Sequence, residues 1–197
     1  MSVLLENMSM IGLNSCLALI PILFGWLMLK TRHTWLQVAF ALVWFSFLPN
    51  TLYILTDLRY LPEQWAVMHH FGKIALALQY LIYEILGVSS FLLALYPLEK
   101  LLLISHKREN NVLLPFLLIT ANSFIGFGMV LGRVQRINSW DIFMNAPKVI
   151  SASFHILSSS KLMLLVVLFS FCANLLYFFF RKLLLLGDVN LLSKFSS

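Results

Sequence analysis

Five apolar blocks, at about 11–29, 35–56, 74–96, 112–132 and 161–182, limit what this chain can fold into. Each has about the 20 residues that a helix needs to cross a bilayer. The expected fold is all-α: a polytopic membrane helix bundle of about five transmembrane helices plus a short interfacial helix. It forms a single integral-membrane domain over 1–197. Only 11% of the residues are charged and 60% are hydrophobic, with mean hydropathy +0.88. A soluble domain carries about 25% charge, so water is not the solvent for most of this surface.

Short polar stretches separate the blocks. Lys30-Thr31-Arg32 divides the first two, Pro97 and the run "EKLLLISHKREN" end the third, and "RKLLLLGD" ends the fifth. No internal repeat is present, which gives an inverted-repeat transporter little support. The net charge of +6 does not point to nucleic acid, because the basic residues sit in small clusters between apolar blocks. Such clusters orient helices and touch anionic headgroups. Cys16 and Cys172 lie inside apolar runs and read as small buried hydrophobes. The start, "MSVLLENMSM", lacks the basic region of a cleaved signal peptide, so the first block is expected in the mature protein.

With five crossings the lysines and arginines fall on two faces. One takes Lys30, Arg32, Lys100, Lys107, Arg108, Arg181, Lys182 and Lys194, and the other takes Arg59, Lys73, Arg133, Arg136, Lys148 and Lys161. The larger set is expected inside, which puts the N-terminus out and the C-terminus in.

Residues 133–160 are too polar for hydrocarbon. Asn138 or Ser139 can cap a turn containing Asp141, and Asn145 before Pro147 reads as a cap and a first-turn proline. Val149, Ile150, Phe154 and Ile156-Leu157 then supply an apolar side. This spacing predicts a short helix along the membrane surface, with a re-entrant segment as the alternative.

The second block carries "FLPNTLYILTDLRY" at 47–60. On a helix Asn50, Tyr53 and Asp57 stand at i, i+3 and i+7, one face that should point into the bundle. Pro49 removes a backbone donor and kinks the helix, and the Asn50 amide could serve the carbonyl it frees. The fourth block ends "IGFGMVLGRVQRINSWD", where Gly128 and Gly132 form a GxxxG step that permits close helix approach. Arg133 and Arg136 follow at once. The second and fourth blocks exit on the same face, so Asp57 and Arg59 are expected near Arg133, Arg136, Asn138 and Asp141. A carboxylate–guanidinium pair there either seals the bundle or leaves a second arginine to hold a phosphate or carboxylate.

Glu84 lies near the middle of the third block. An ionisable group at that depth is either a protonated carboxyl bonded to Tyr or Asn, or a proton relay or general acid. His69-His70 and His155 read as interfacial, without the spacing of a metal site. Trp44, Trp65, Trp140 and Tyr60 read as belt aromatics at helix ends. Ser158-Ser159-Ser160 reads as a cap run before the fifth block. No metal and no cofactor are expected.

The stretches "FLPNTLYILTDL" and "GFGMVLGRVQRINSWD" resemble a family of small bacterial integral membrane proteins classed only as a domain of unknown function. Its hallmarks are F-L-P-N-x-x-Y-x-x-T-D-L and G-R-x-x-R-x-N-S-W-D. They fall here on Phe47, Leu48, Pro49, Asn50, Tyr53, Thr56, Asp57 and Leu58, and on Gly132, Arg133, Arg136, Asn138, Ser139, Trp140 and Asp141. Thr51 stands where the pattern implies alanine, a difference expected to carry no chemistry. The resemblance implies a bacterial plasma-membrane protein and no particular activity.

Two functions remain from the residues. One is a binding or assembly component whose Asp/Arg cluster docks a partner subunit or an anionic headgroup. The other is a small membrane-embedded enzyme acting on a phospholipid or polyprenyl-phosphate head. In the enzyme, Asp57, Asp141 or Glu84 would be the acid/base, with Arg133 and Arg136 on the phosphate. Transport would need oligomers, since five helices with one buried charge make a poor pathway. The first is preferred, because no nucleophile–base pair, metal set or phosphate loop accompanies the carboxylates. Membrane lipids and another membrane subunit are the expected partners.

Overall fold

A computed structural model describes the backbone of residues 2–105 and 113–194 and the side chains of 3–101 and 113–181. Hydrocarbon cannot hydrogen-bond a bare backbone, so apolar blocks satisfy their own N–H and C=O groups as helices. The order is α1 Ser2–Lys30, α2 Thr34–Phe47, α3 Pro49–Thr56, a 3₁₀ turn Asp57–Tyr60, α4 Leu61–Val67 and α5 His70–Ser105. Then come α6 Leu113–Arg133, α7 Asp141–Met144, α8 Ala146–Ser158 and α9 Ser160–Lys194. No strand occurs among the described residues. Five helical runs are long and apolar enough to cross a membrane: Val3–Lys30, Thr34–Val67, His70–Leu101, Leu113–Arg133 and Ser160–Arg181. The fold is an all-α, multi-pass helix bundle. Lys107 and Arg108 lie outside the described residues, and Lys182 and Lys194 outside the described side chains.

The chain divides into two compact units, Met1–Ala94 and Leu95–Ser197, and the division falls inside α5. In the first unit, α1 packs along α2 and α3. Ala18, Ile54 and Tyr83 form a buried cluster, with Ile11 against it. Gly87 lets α5 come close to α3, since a Cβ there would sit 2.7 Å from Ile54 Cγ2. The helix breaks at Leu48, as Pro49 requires. Thr51 answers the break: it is fully buried, and its hydroxyl donates to the Leu48 carbonyl over 2.8 Å. The residue expected to carry no chemistry therefore has a local one.

Three other expectations change. Trp44 is buried rather than in a belt, and its indole N–H donates to the Ala94 carbonyl over 2.7 Å. Cys16 and Cys172 are exposed on helix surfaces instead of buried. A thiol is apolar enough to stand among lipid-facing side chains. α5 also continues through Pro97 to Ser105. A proline deletes only one helical bond, and membrane helices tolerate that where neighbours re-satisfy the freed carbonyl.

In the second unit, contacts between α6 and α9 run in opposite sequence directions, from Asn122–Asn174 to Val130–Val166, so the two helices are antiparallel. Their seam is built from Leu118, Asn122, Ile125, Gly126, Met129 and Val130 on α6 against Val166, Ser170, Ala173 and Tyr177 on α9. The close approach is at Gly126, where a Cβ would lie 2.6 Å from the Ser170 backbone nitrogen.

After α6 the chain reverses through Arg136, a non-glycine residue at φ 54°. That turn lets Ile137 N–H reach the Leu131 carbonyl over 3.1 Å and buries the Ile137 side chain. α7 follows Trp140, whose side chain makes no cap bond. The Asp141 carboxylate instead reaches back to Asn138 N–H, 2.9 Å away. α8 has the expected cap, Asn145 accepting from Lys148 N–H, with Pro147 in its first turn.

α8 carries three stripes. Val149, Ala152, Ser153 and Ile156 turn to the bundle, Ile156 fully buried beside Val130 and Val166. Ile150, Phe154 and Leu157, at i, i+4 and i+7, are exposed. Lys148, Ser151, His155 and Ser158 form the third, polar stripe. A helix with one face on protein, one apolar and one polar fits a membrane–water interface.

Candidate functional site

The first unit holds a polar cluster around Asp57. The face predicted for Asn50, Tyr53 and Asp57 is indeed turned inward, with Asp57 fully buried, Asn50 buried and Tyr53 half-buried. Asp57 Oδ2 accepts from Asn14 Nδ2 at 2.7 Å and from Tyr83 OH at 2.9 Å. Asn14 also donates to the Tyr83 oxygen at 3.0 Å, closing a triangle. The core explains the geometry: Asn14 stands between Ile11 and Ala18 on the α1 face that meets Ile54 and Tyr83. Arg59, two residues on, is exposed and lies 4.6 Å over the Tyr60 ring, its guanidinium donating to the Tyr60 oxygen at 2.5 Å.

Above this triangle lies an amide cluster. Asn7 Nδ2 donates to Gln64 Oε1 at 2.8 Å and to Gln79 Oε1 at 3.2 Å, while Gln64 returns a bond to Asn7 Oδ1 at 2.9 Å. Tyr80 OH donates to Gln64 Oε1 at 3.2 Å. Glu84, one residue past Tyr83, is half-buried, and its Oε1 is buried without a hydrogen-bond partner among the described residues.

The second unit brings together Arg133, Arg136, Asn138, Ser139, Trp140 and Asp141 in the α6–α7 connection. Gly128 and Gly132 lie half-buried on the last turns of α6, and Arg133 ends it. Asp141 is taken by Lys148, whose ammonium is 3.0 Å from its Oδ2. The Asn138 N–H first, and then Lys148, hold the Asp141 carboxyl below the usual carboxylate range. Gln135 and His155 are joined at 3.2 Å. Arg136 is exposed and enters no hydrogen bond or ion pair among the described residues. Asp57, Arg59 and Glu84 belong to the first unit, and Arg133, Arg136 and Asp141 to the second.

The model of a family described as a protein of unknown function, DUF1361, matches residues 13–176. The chain belongs to DUF1361. The matched range holds both the 47–58 and the 132–141 stretches, together with Asn14, Tyr83 and Glu84. No curated protein and no solved structure matches this DUF1361 chain.

Two polar groups of the second unit carry no signal in the charge and motif pattern. Glu99, with only 2% of its side chain exposed, receives Arg181 Nε at 2.7 Å and Arg181 Nη2 at 2.5 Å on Oε1. Tyr177 OH donates to its Oε2. Midway along the seam, Asn122 donates to Asn174 at 3.1 Å and Ser170 to the Ser123 carbonyl at 3.2 Å. Spacing could have pointed to the first group, since Ala173, Tyr177 and Arg181 repeat every four residues on one face of α9. Among the described residues no three His, Cys, Asp or Glu gather into a metal-holding set.

Proposed function

We propose that this DUF1361 member is a multi-pass component of the bacterial plasma membrane, N-terminus out and C-terminus in, that docks an anionic lipid headgroup. Arg136, Arg133 and Asn138 make the phosphate-facing group at the membrane boundary. Arg136 carries the reading. It is exposed, it pairs with no described residue, and it occupies a left-handed φ of 54° where glycine would cost less. A costly backbone position kept for a side chain that serves no internal contact is a mark of a binding role. The exposed Ile150–Phe154–Leu157 stripe and exposed Trp140 favour a lipid partner over a protein subunit. The enzyme reading needs a carboxylate that a headgroup can reach, whereas Asp57 is fully buried and Asp141 is held by Lys148.

The test is Arg136→Gly with native mass spectrometry of protein extracted in mild detergent. Removing the strained side chain should raise stability by about 1 kcal/mol while bound phospholipid is lost. Retention of the same phospholipid by the variant refutes headgroup docking. Loss of a stoichiometric protein in place of lipid would transfer the role to subunit assembly.

A further inference from the structure

We propose that Glu84 is an intramembrane proton-binding site, a carboxyl that holds its proton at neutral pH and presents it at the edge of the first unit's core. Four observations converge on it. Glu84 stands near the middle of the crossing run His70–Leu101, where an ionised side chain is least tolerated. Its Oε1 is buried without a donor, and no cation pairs with it among the described residues. The basic residues of its unit are placed elsewhere: Arg59 lies over Tyr60, Lys73 lies 5.8 Å over Trp65, and Lys30 and Arg32 sit where α1 ends.

The neighbouring donors are committed as well. Tyr80 gives its hydroxyl to Gln64, Tyr83 gives its own to Asp57, and Asn14 divides its amide between Asp57 and Tyr83. A carboxylate here would be a buried charge with neither counter-ion nor hydrogen bond, whereas the protonated acid is a neutral polar group. Glu84 is only half-buried, so part of the residue is open at the unit's surface and the proton can exchange. The same unit therefore keeps two carboxyls in different surroundings: Asp57 Oδ2 takes donors from Asn14 and Tyr83, and Glu84 Oε1 takes none. Such a pair separates a fixed structural acid from a mobile one. The inference uses no residue of the 133–148 segment and stands apart from headgroup docking.

Dicyclohexylcarbodiimide tests it on the full chain in lipid nanodiscs at pH 7. The reagent dissolves in hydrocarbon and reacts with protonated carboxyls. The acid proton moves to a carbodiimide nitrogen, the carboxyl oxygen bonds to the central carbon, and rearrangement leaves a stable N-acylurea carrying the whole reagent. Peptide mapping should find Glu84 labelled at least several-fold above Asp57 and Glu99. Glu84→Gln, which copies the neutral form, should lose the label and keep the thermal midpoint. An unlabelled Glu84 in the wild-type protein at pH 7 overturns the proposal, as does equal labelling of all three carboxyls.

Discussion

Gly126→Ala puts the α6–α9 seam under a defined load. The added Cβ would meet Ser170 Oγ at 2.2 Å, its backbone nitrogen at 2.6 Å and its Cα at 2.9 Å. The hydroxyl can rotate, but the nitrogen and Cα cannot. Moving the nitrogen from 2.6 Å to an ordinary 3.4 Å contact requires the two helices to part by about 0.8 Å. The Ser170–Ser123 and Asn122–Asn174 bonds, at 3.2 and 3.1 Å, then leave hydrogen-bonding range. Interhelical bonds in membranes are worth about 0.6 kcal/mol each, and overpacking adds about 1–3 kcal/mol. Alanine returns up to about 1 kcal/mol of helix propensity. The net loss is about 1–3 kcal/mol.

Denaturation in mixed detergent micelles reads this out, with the other glycines as internal references. A Cβ at Gly12 meets nothing within 4 Å, so Gly12→Ala should be neutral or stabilising. At Gly72 it meets chiefly Met68 Sδ at 2.9 Å, the flexible part of a side chain, and the change should be mild. At Gly87 it meets the stiff branch of Ile54 at 2.7 and 2.9 Å, so Gly87→Ala should fall between Gly72→Ala and Gly126→Ala. If Gly126→Ala unfolds at the same detergent fraction as Gly12→Ala, the close approach of α6 and α9 is refuted.

Arg181→Met strands the Glu99 carboxylate, whose side chain is 2% exposed, and should cost about 2–4 kcal/mol, reduced from the fully buried figure because Arg181 is 27% exposed. Adding Glu99→Gln should recover most of that loss, and a double mutant as unstable as the sum of the singles would show that the pair is not coupled. Asp141 has a folded-state value below its unfolded one, so its stabilisation is present above the ordinary carboxylate range and is lost as pH falls through the folded value. Amide exchange at Asn138, whose N–H the carboxylate accepts, should therefore be faster in Asp141→Asn than in wild type near pH 7, and the difference should close in acid once the carboxyl is protonated. A difference that persists in acid would refute the charge-based account.

What was legible in the sequence followed from length and period. Five apolar blocks imply five crossings because hydrocarbon thickness fixes helix length. The inward face of Asn50 and Asp57 followed from the cost of placing an amide and a carboxylate against lipid. Asn145 and Pro147 marked the α8 start because helix caps are local chemistry. What escaped depends on which helix lies opposite. Glu99 read as part of a charged helix end, and only the fold brings Arg181 to it from 82 residues away. Asn14 is an ordinary polar residue until the 3₁₀ turn after α3 supplies Asp57 and α5 supplies Tyr83. The GxxxG step drew attention to Gly128 and Gly132, whereas the tight contact at Gly126 arises because Ser170, a small residue, faces it.

The signs of these effects separate binding from architecture. Asn122, Ser170 and Glu99 sit in contacts that complete a helix seam or a buried pair, so changing them should lower stability and disturb whatever the protein holds. Arg136 has the opposite arrangement: a backbone that glycine would occupy at less cost, and a side chain with no described partner. Replacing it should raise stability and lower occupancy together. A residue retained against the fold's own preference has to be explained by something outside the fold, and the counter-charge proposed for it is a lipid phosphate. Loss of stability in Arg136→Gly would mean that the turn needs the arginine for itself, and the headgroup would then have no claim on it.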